Sequence, residues 1–169
     1  MTTAYFAGGC FWCIAPVMKI RPGVTAVVSG YSGGDEEDPS YEDVKAQKTG
    51  HRETIRVDFD ECLTSFSELV DVYIAGVDPF DGGGQFIDRG RSYTLAVYYV
   101  SEEQKRIAEE KIRDLKKESG KDVFISLEPF KSFWPAEERH QDFYLKNPGE
   151  YERELEESGR KERFSGAKK

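Results

Sequence analysis

The chain has 169 residues, 38% hydrophobic and 13% aromatic, enough to bury a core without disulfide or metal staples, so a charged content of 33% does not signal disorder. A net charge of −8 argues against a general nucleic-acid partner, and no run of about eighteen apolar residues exists to span a membrane as a helix. The opening MTTAYFAGG lacks the basic and long apolar regions of a signal peptide, so the expected compartment is the cytoplasm, where a CxxC is more often catalytic or metal-binding than structural.

Thr3 to Ala7 reads as a short buried strand, stopped by Gly8-Gly9. A helix is expected from about Cys10, with Pro16 a disturbance unless it falls within the first turn. The turn Arg21-Pro22-Gly23 feeds a second strand over Val24 to Val28, and GYSGGDEEDPS (30–40) reads as a polar loop. Ile55, Val57 and Phe59 alternate with Arg56 and Asp58, the period of a half-buried strand. Ser65 and Glu68 form a capping box before an amphipathic helix running through Leu69, Val70 and Tyr73 to Gly76. The segment DPFDGGGQFIDRGRS (78–92) is too rich in glycine for regular structure.

TLAVYYV (94–100) suits a central strand, and Ser101 with Gln104 repeats the capping pattern. The helix it starts places Ile107, Ala108, Ile112 and Leu115 on one face and ends at Gly120, before a last strand over Val123 to Leu127. These elements predict one α/β domain over residues 1–150, a mixed sheet with packed helices and two long functional loops, followed by a charged helix or tail over 151–169.

The chemistry starts at GGCFWC, residues 8–13. Cys10 stands where a strand gives way through glycines to a helix start, a position that stabilises a thiolate, and Cys13 follows one turn later. This favours a reactive thiol over a cysteine serving as a small hydrophobe. A thioredoxin-like disulfide oxidoreductase also opens a helix with CxxC. A binding module holding zinc through Cys10 and Cys13 would need further ligands, and Cys62 and the two histidines offer no second closely spaced pair. The oxidoreductase reading leaves unexplained the polar clusters PSYEDV with Tyr41, TGHRE with His51 and Glu53, and QFIDRGRSY with Asp88 and Tyr93. Taken singly, those residues have ordinary readings: Tyr41 as packing, Glu53 as solvated, Asp88 as a turn, His51 as a structural hydrogen-bonder, and Cys62 as inert.

Six motifs change that balance: GCFW (9–12), GYSGG (30–34), PSYEDV (39–44), TGHRE (49–53), DRG (88–90) and PAEERHQDFYLKNP (135–148). In this order and spacing, from Tyr5 to Tyr151, the sequence resembles the peptide methionine sulfoxide reductase A family. The resemblance implies a two-layer α/β sandwich on a ferredoxin-like βαββ core. It implies reduction of the S-epimer of methionine sulfoxide, free or in oxidised proteins, by a monomer with no cofactor, with thioredoxin (or dithiothreitol) as reductant. A sulfoxide sulfur is electrophilic only as its oxygen is protonated or strongly hydrogen-bonded, so the reaction needs a thiolate, an acid and neutral donors. By resemblance Cys10 is the nucleophile, Glu53 the acid, and Tyr41 and Tyr93 the donors to the oxygen. Asp88 would hold the hydrogen-bond network, and Phe11 and Trp12 the S-methyl pocket.

The sequence departs from the common pattern at Cys13, where glycine is frequent, at Ala15, where glutamate is frequent, and at Thr94-Leu95, where Arg-Ser is usual. No cysteine follows Cys62, so a sulfenic acid on Cys10 must be resolved by Cys13, by Cys62 or by an external thiol. Cys13 is favoured, because CxxC dithiols at helix starts close into disulfides.

Overall fold

The computed structural model of the chain describes residues 2–158 and Arg160. β1 (Thr2–Gly8) leads through Gly9 and Cys10 into α1 (Phe11–Lys19), followed by β2 (Val24–Ser32), α2 (Tyr41–Lys45) and β3 (Arg52–Phe59). Next come α3 (Phe66–Gly76), a small hairpin of β4 (Gly84–Gln85) and β5 (Asp88–Arg89), and β6 (Leu95–Tyr99). The chain continues through α4 (Glu102–Ser119), β7 (Ile125–Pro129), β8 (Phe133–Pro135), α5 (Phe143–Lys146) and α6 (Pro148–Ser158).

Six strands form one sheet in the order β7-β6-β1-β3-β2-β8. Only β6 and β7 run parallel, because α4 carries the chain back across the sheet between them, while the other neighbours are antiparallel. Side chains alternate between the two faces. Phe6, Ile55, Val57, Phe59, Leu95 and Val97 pack with Ile14 and Met18 of α1, Leu69 and Tyr73 of α3, and Ala108 of α4. The opposite face carries Ala7, Ala96 and Tyr98, joined by Tyr5 and Phe130. The result is the expected α/β sandwich with a mixed sheet, and its β1-α1-β2-β3 segment is the βαββ unit.

Both capping serines act as read. Ser65 Oγ accepts from Glu68 N at 3.1 Å and Ser101 Oγ from Gln104 N at 3.2 Å, caps that each contribute about 1 kcal/mol. The return halves of the boxes are redirected: Glu68 accepts the Thr64 hydroxyl, and Gln104 bonds Val100 N and Thr3 O. Gly120 ends α4 in the left-handed conformation, φ 68°.

Several elements differ from the sequence reading. β2 continues through Gly30, Tyr31 and Ser32, which read as loop, because β3 on one side and β8 on the other supply their backbone partners. β3 starts at Arg52, so Glu53 lies inside a buried strand and not before it. Tyr41 opens a short helix capped by Ser40, and the glycine-rich segment 78–92 contains the β4–β5 hairpin and a 3-10 turn over Arg91–Tyr93. α1 runs through Pro16, which is buried, so packing offsets the hydrogen bond that proline removes. α6 begins at Pro148 and buries Leu155, so the charged tail includes a packed helix, while residues 161–169 lie outside the described ones. No described helix is long and apolar enough to cross a membrane.

Candidate active site

The end of β1 sets the position of the first cysteine. Gly9 has φ 82°, and a Cβ there would lie 2.8 Å from the Gln85 side chain, so only glycine makes this turn without strain. Cys10 follows as the N-cap of α1, its carbonyl accepting from Cys13 N at 3.1 Å and Ile14 N at 3.3 Å. Cys10 is 5% exposed and Cys13 fully buried, and the two side chains share one packed cluster. The Cys13 thiol is the largest influence holding the Cys10 pKa well above its ordinary value, followed by burial and the negative charges of Glu53 and Asp88. At the start of α1 the Cys13 thiol, burial and the nearby carboxyls oppose the helix dipole, and they favour the neutral thiol of Cys10 over the thiolate expected there.

Glu53 reaches the same helix start from β3. Its Oε1 accepts the Phe11 backbone N–H at 3.2 Å, one of the amides that α1 leaves unpaired at its first turn. Burial dominates that favourable bond and, with the Asp88 charge, pushes the carboxyl up to about 8. Lys45 and Tyr93 pull weakly the other way. The Tyr93 hydroxyl does not reach hydrogen-bond geometry, and Oε2 has no partner among the described residues. The residue read singly as solvated is a protonated acid inside the protein at neutral pH.

Tyr41 from α2 and Tyr93 from the 3-10 turn flank this carboxyl, and burial followed by the Glu53 charge keeps both phenols firmly protonated. Gln47 bridges the two supports: its Oε1 accepts from Ser92 N at 3.0 Å and its Nε2 donates to Ser92 Oγ at 2.7 Å. Thr94, a departure from the family pattern, accepts from Arg52 Nε at 2.8 Å and donates to the Arg91 carbonyl at 2.7 Å, which pins the turn that carries Tyr93. Asp88 lies at the hairpin end with a buried Oδ2 that has no partner among the described residues. Cys10 Sγ and one oxygen each of Asp88 and Glu154 lie within 4.8 Å of one another, the trio of ligating side chains here close enough to share a metal ion, with the Arg160 guanidinium near both carboxyls.

Phe11 and Trp12 begin an aromatic cluster. Trp12 stacks on Phe143 at 3.9 Å between centroids, and its Nε1 donates to His140 Nδ1 at 3.1 Å. Tyr41 and Phe11 pack around the same imidazole at 4.2 and 5.6 Å. Glu137 accepts the Tyr31 hydroxyl at 2.8 Å and the Tyr41 backbone N–H at 3.1 Å, holding α2 against β2. Glu137, His140 and Phe143 belong to the motif PAEERHQDFYLKNP, which had no assigned chemistry in the sequence reading. Glu154 and Arg160 carried no sequence signal beyond charge.

The structure thus gathers Cys10, Phe11, Trp12, Cys13, Tyr41, Glu53, Asp88 and Tyr93 at one end of the sheet. Cys62 is elsewhere, in an exposed turn just past Phe59. Phe59 pairs with Thr2 at the start of β1, whereas Cys10 follows its end, a separation of roughly 20 Å along the strand. His51 is structural: buried, it accepts from Gly34 N at 3.2 Å and bonds the Glu36 carbonyl at 2.8 Å.

Comparison with known proteins follows the same line. A Staphylococcus aureus protein, peptide methionine sulfoxide reductase MsrA 2, is 46% identical over 165 residues, covering 95% of this chain and 93% of that protein. Yeast Mxr1 in reduced form superposes with a TM-score of 0.81 at 25% identity, over 88% of this chain and 86% of that one. Mxr1 in complex with Trx2 shares the fold at TM-score 0.56 and 18% identity, covering 84% of each chain. The profile of the family described as peptide methionine sulfoxide reductase spans residues 2–168, and the chain therefore belongs to that family.

Proposed function

We propose that the chain reduces the S-epimer of methionine sulfoxide, free or in oxidised proteins, through a sulfenic acid on Cys10. The observation that carries this reading is the buried, protonated Glu53 carboxyl at the helix start of the Cys10 thiol. A thiol exchanging disulfides needs no such acid, whereas a sulfoxide oxygen must gain a proton before its bond to sulfur can break.

The sulfoxide oxygen sits against Glu53 and the Tyr41 and Tyr93 hydroxyls, and the S-methyl group enters the cluster of Phe11 and Trp12. Glu53 gives its proton to the oxygen as the Cys10 sulfur adds to the sulfoxide sulfur, and the thiol proton replaces it on the carboxyl. Collapse moves the hydroxyl to Cys10 and releases methionine, so sulfur in the substrate is reduced and Cys10 is oxidised. Cys13 then displaces the hydroxyl as water and leaves a Cys10–Cys13 disulfide. Asp88 stands as a second carboxyl beside the Cys10 sulfur, and no cofactor enters the cycle.

A Cys10–Cys13 disulfide is reduced by a dithiol, and thioredoxin is the reductant this reading assigns; the fold neighbour caught with Trx2 supports it. A cytoplasmic setting, where such reductants keep thiols reduced, suits three free cysteines. Turnover with dithiothreitol on each epimer tests the proposal. The S-epimer is expected to yield methionine and the R-epimer none, and disulfide exchange without sulfoxide reduction would overturn it.

A further inference from the structure

The recycling step needs a proton donor at the departing hydroxide and an acceptor for the Cys13 proton. When Cys13 attacks the Cys10 sulfenic acid, the S–O bond breaks and an S–S bond forms, and the departing hydroxide must take a proton. Cys13 must lose its own proton in the same step. Glu53 lies at the Phe11 amide, the side to which the proposed function assigns the sulfoxide oxygen. The opposite cover of the two thiols is α6. Leu155 of α6 packs on Cys10, Cys13 and Val17, and Tyr151 lies against the same group. Glu154 and Tyr151 are three apart and share a helix face. The Glu154 carboxyl oxygen is within 4.8 Å of Cys10 Sγ, a gap that the added sulfenic oxygen closes to hydrogen-bond reach.

We infer that Glu154 is a catalytic residue of the recycling step, the acid that protonates the hydroxide leaving Cys10 and then receives the Cys13 proton. This rests on the sulfenic acid chemistry proposed above. The step balances: the Cys10 sulfur is reduced, the Cys13 sulfur is oxidised, one water leaves, and the Cys13 proton replaces the one that Glu154 gives. Asp88 also lies within 4.8 Å of Cys10, but it projects from the hairpin and not from the helix that covers Cys13. Burial, then the charges of Asp88 and Glu157, favour the protonated form of Glu154, with Arg160 and Lys45 offsetting part of that effect.

The test separates the two half-reactions. Reduced protein is mixed with excess methionine sulfoxide and no reductant; released methionine is counted, the sulfenic acid is trapped with a 1,3-diketone, and the disulfide is followed by mass. Glu154→Gln is expected to release one methionine per chain at a rate close to that of the parent, then to form the disulfide about 10²-fold more slowly while trapped sulfenic acid accumulates. Glu154→Asp is expected to recover part of that rate. Disulfide formation at the parent rate in Glu154→Gln, after a normal methionine burst, overturns the role of Glu154. A parent protein that releases no methionine fails at the earlier step, and takes this inference with it.

Discussion

Arg52 and Glu53 are neighbours on β3, yet they point to opposite faces of the sheet and live in opposite electrostatic worlds. Arg52 Nη1 donates to Glu128 at 2.7 Å and to the Tyr98 hydroxyl at 2.9 Å, and its Nε donates to Thr94. That carboxylate, beside a guanidinium and the Ser126 hydroxyl, is held below its usual range despite partial burial. Glu53 receives one backbone amide and no cation in contact, and it is pushed up to about 8. Two carboxyls of one sheet thus take opposite protonation states, and the presence of a paired cation decides which. The paired face holds the molecule together, and the unpaired face keeps a proton available.

The largest expected loss comes from the thiols that face Glu53. Cys10→Ser should abolish reduction, including the first turnover, whereas Cys13→Ser should release one methionine per chain and then stall with thioredoxin as reductant. Cycling by Cys13→Ser with a Cys10–Cys62 bridge found by peptide mapping would reassign the resolving thiol.

Next is Glu53 itself. Glu53→Ala should lower kcat/KM by about 10²–10⁴-fold, and Glu53→Gln, which keeps one donor, by less. The parent's kcat/KM should fall as pH rises through about 8, where the carboxyl loses its proton. The linkage runs the same way. The folded state holds this proton more tightly than the unfolded chain, so the stability it contributes is present below about 4.5 and is lost as pH rises through about 8. Glu53→Gln has no charge to bury, and its melting temperature relative to the parent should increase between pH 5 and pH 9. A constant difference would mean that Glu53 ionises freely.

The smallest effect sharpens the other face. Glu128→Gln leaves Arg52, 5% exposed, without its anionic partner, and should cost about 1–3 kcal/mol in a denaturant titration with kcat/KM within about threefold of the parent. A large loss of activity with little loss of stability would show that the two faces are not separate.

Local chemistry is written in the sequence. Serine caps with Glu68 and Gln104, the apolar alternation of Ile55, Val57 and Phe59, the left-handed Gly120 and the strand-to-helix turn at Cys10 depend on residues close along the chain, and they appear where the spacing puts them. The ordered motifs likewise carry the site residues, because six short segments with set spacing specify far more than any one of them. What spacing does not carry is burial and partnership across the sheet. Gly30 to Ser32 are strand only because β3 and β8 pair with them, Glu53 is an acid only because its face of β3 lies under α1 without a cation, and Cys62 lies far from Cys10 only because the length of β1 separates them. The charged segment after Pro148 shows no apolar stripe to draw it inward, yet Leu155 and Tyr151 dock α6 on both thiols and set Glu154 beside Cys10. Those outcomes come from desolvation and from contacts between distant segments, and such free energies exist only once the chain has folded.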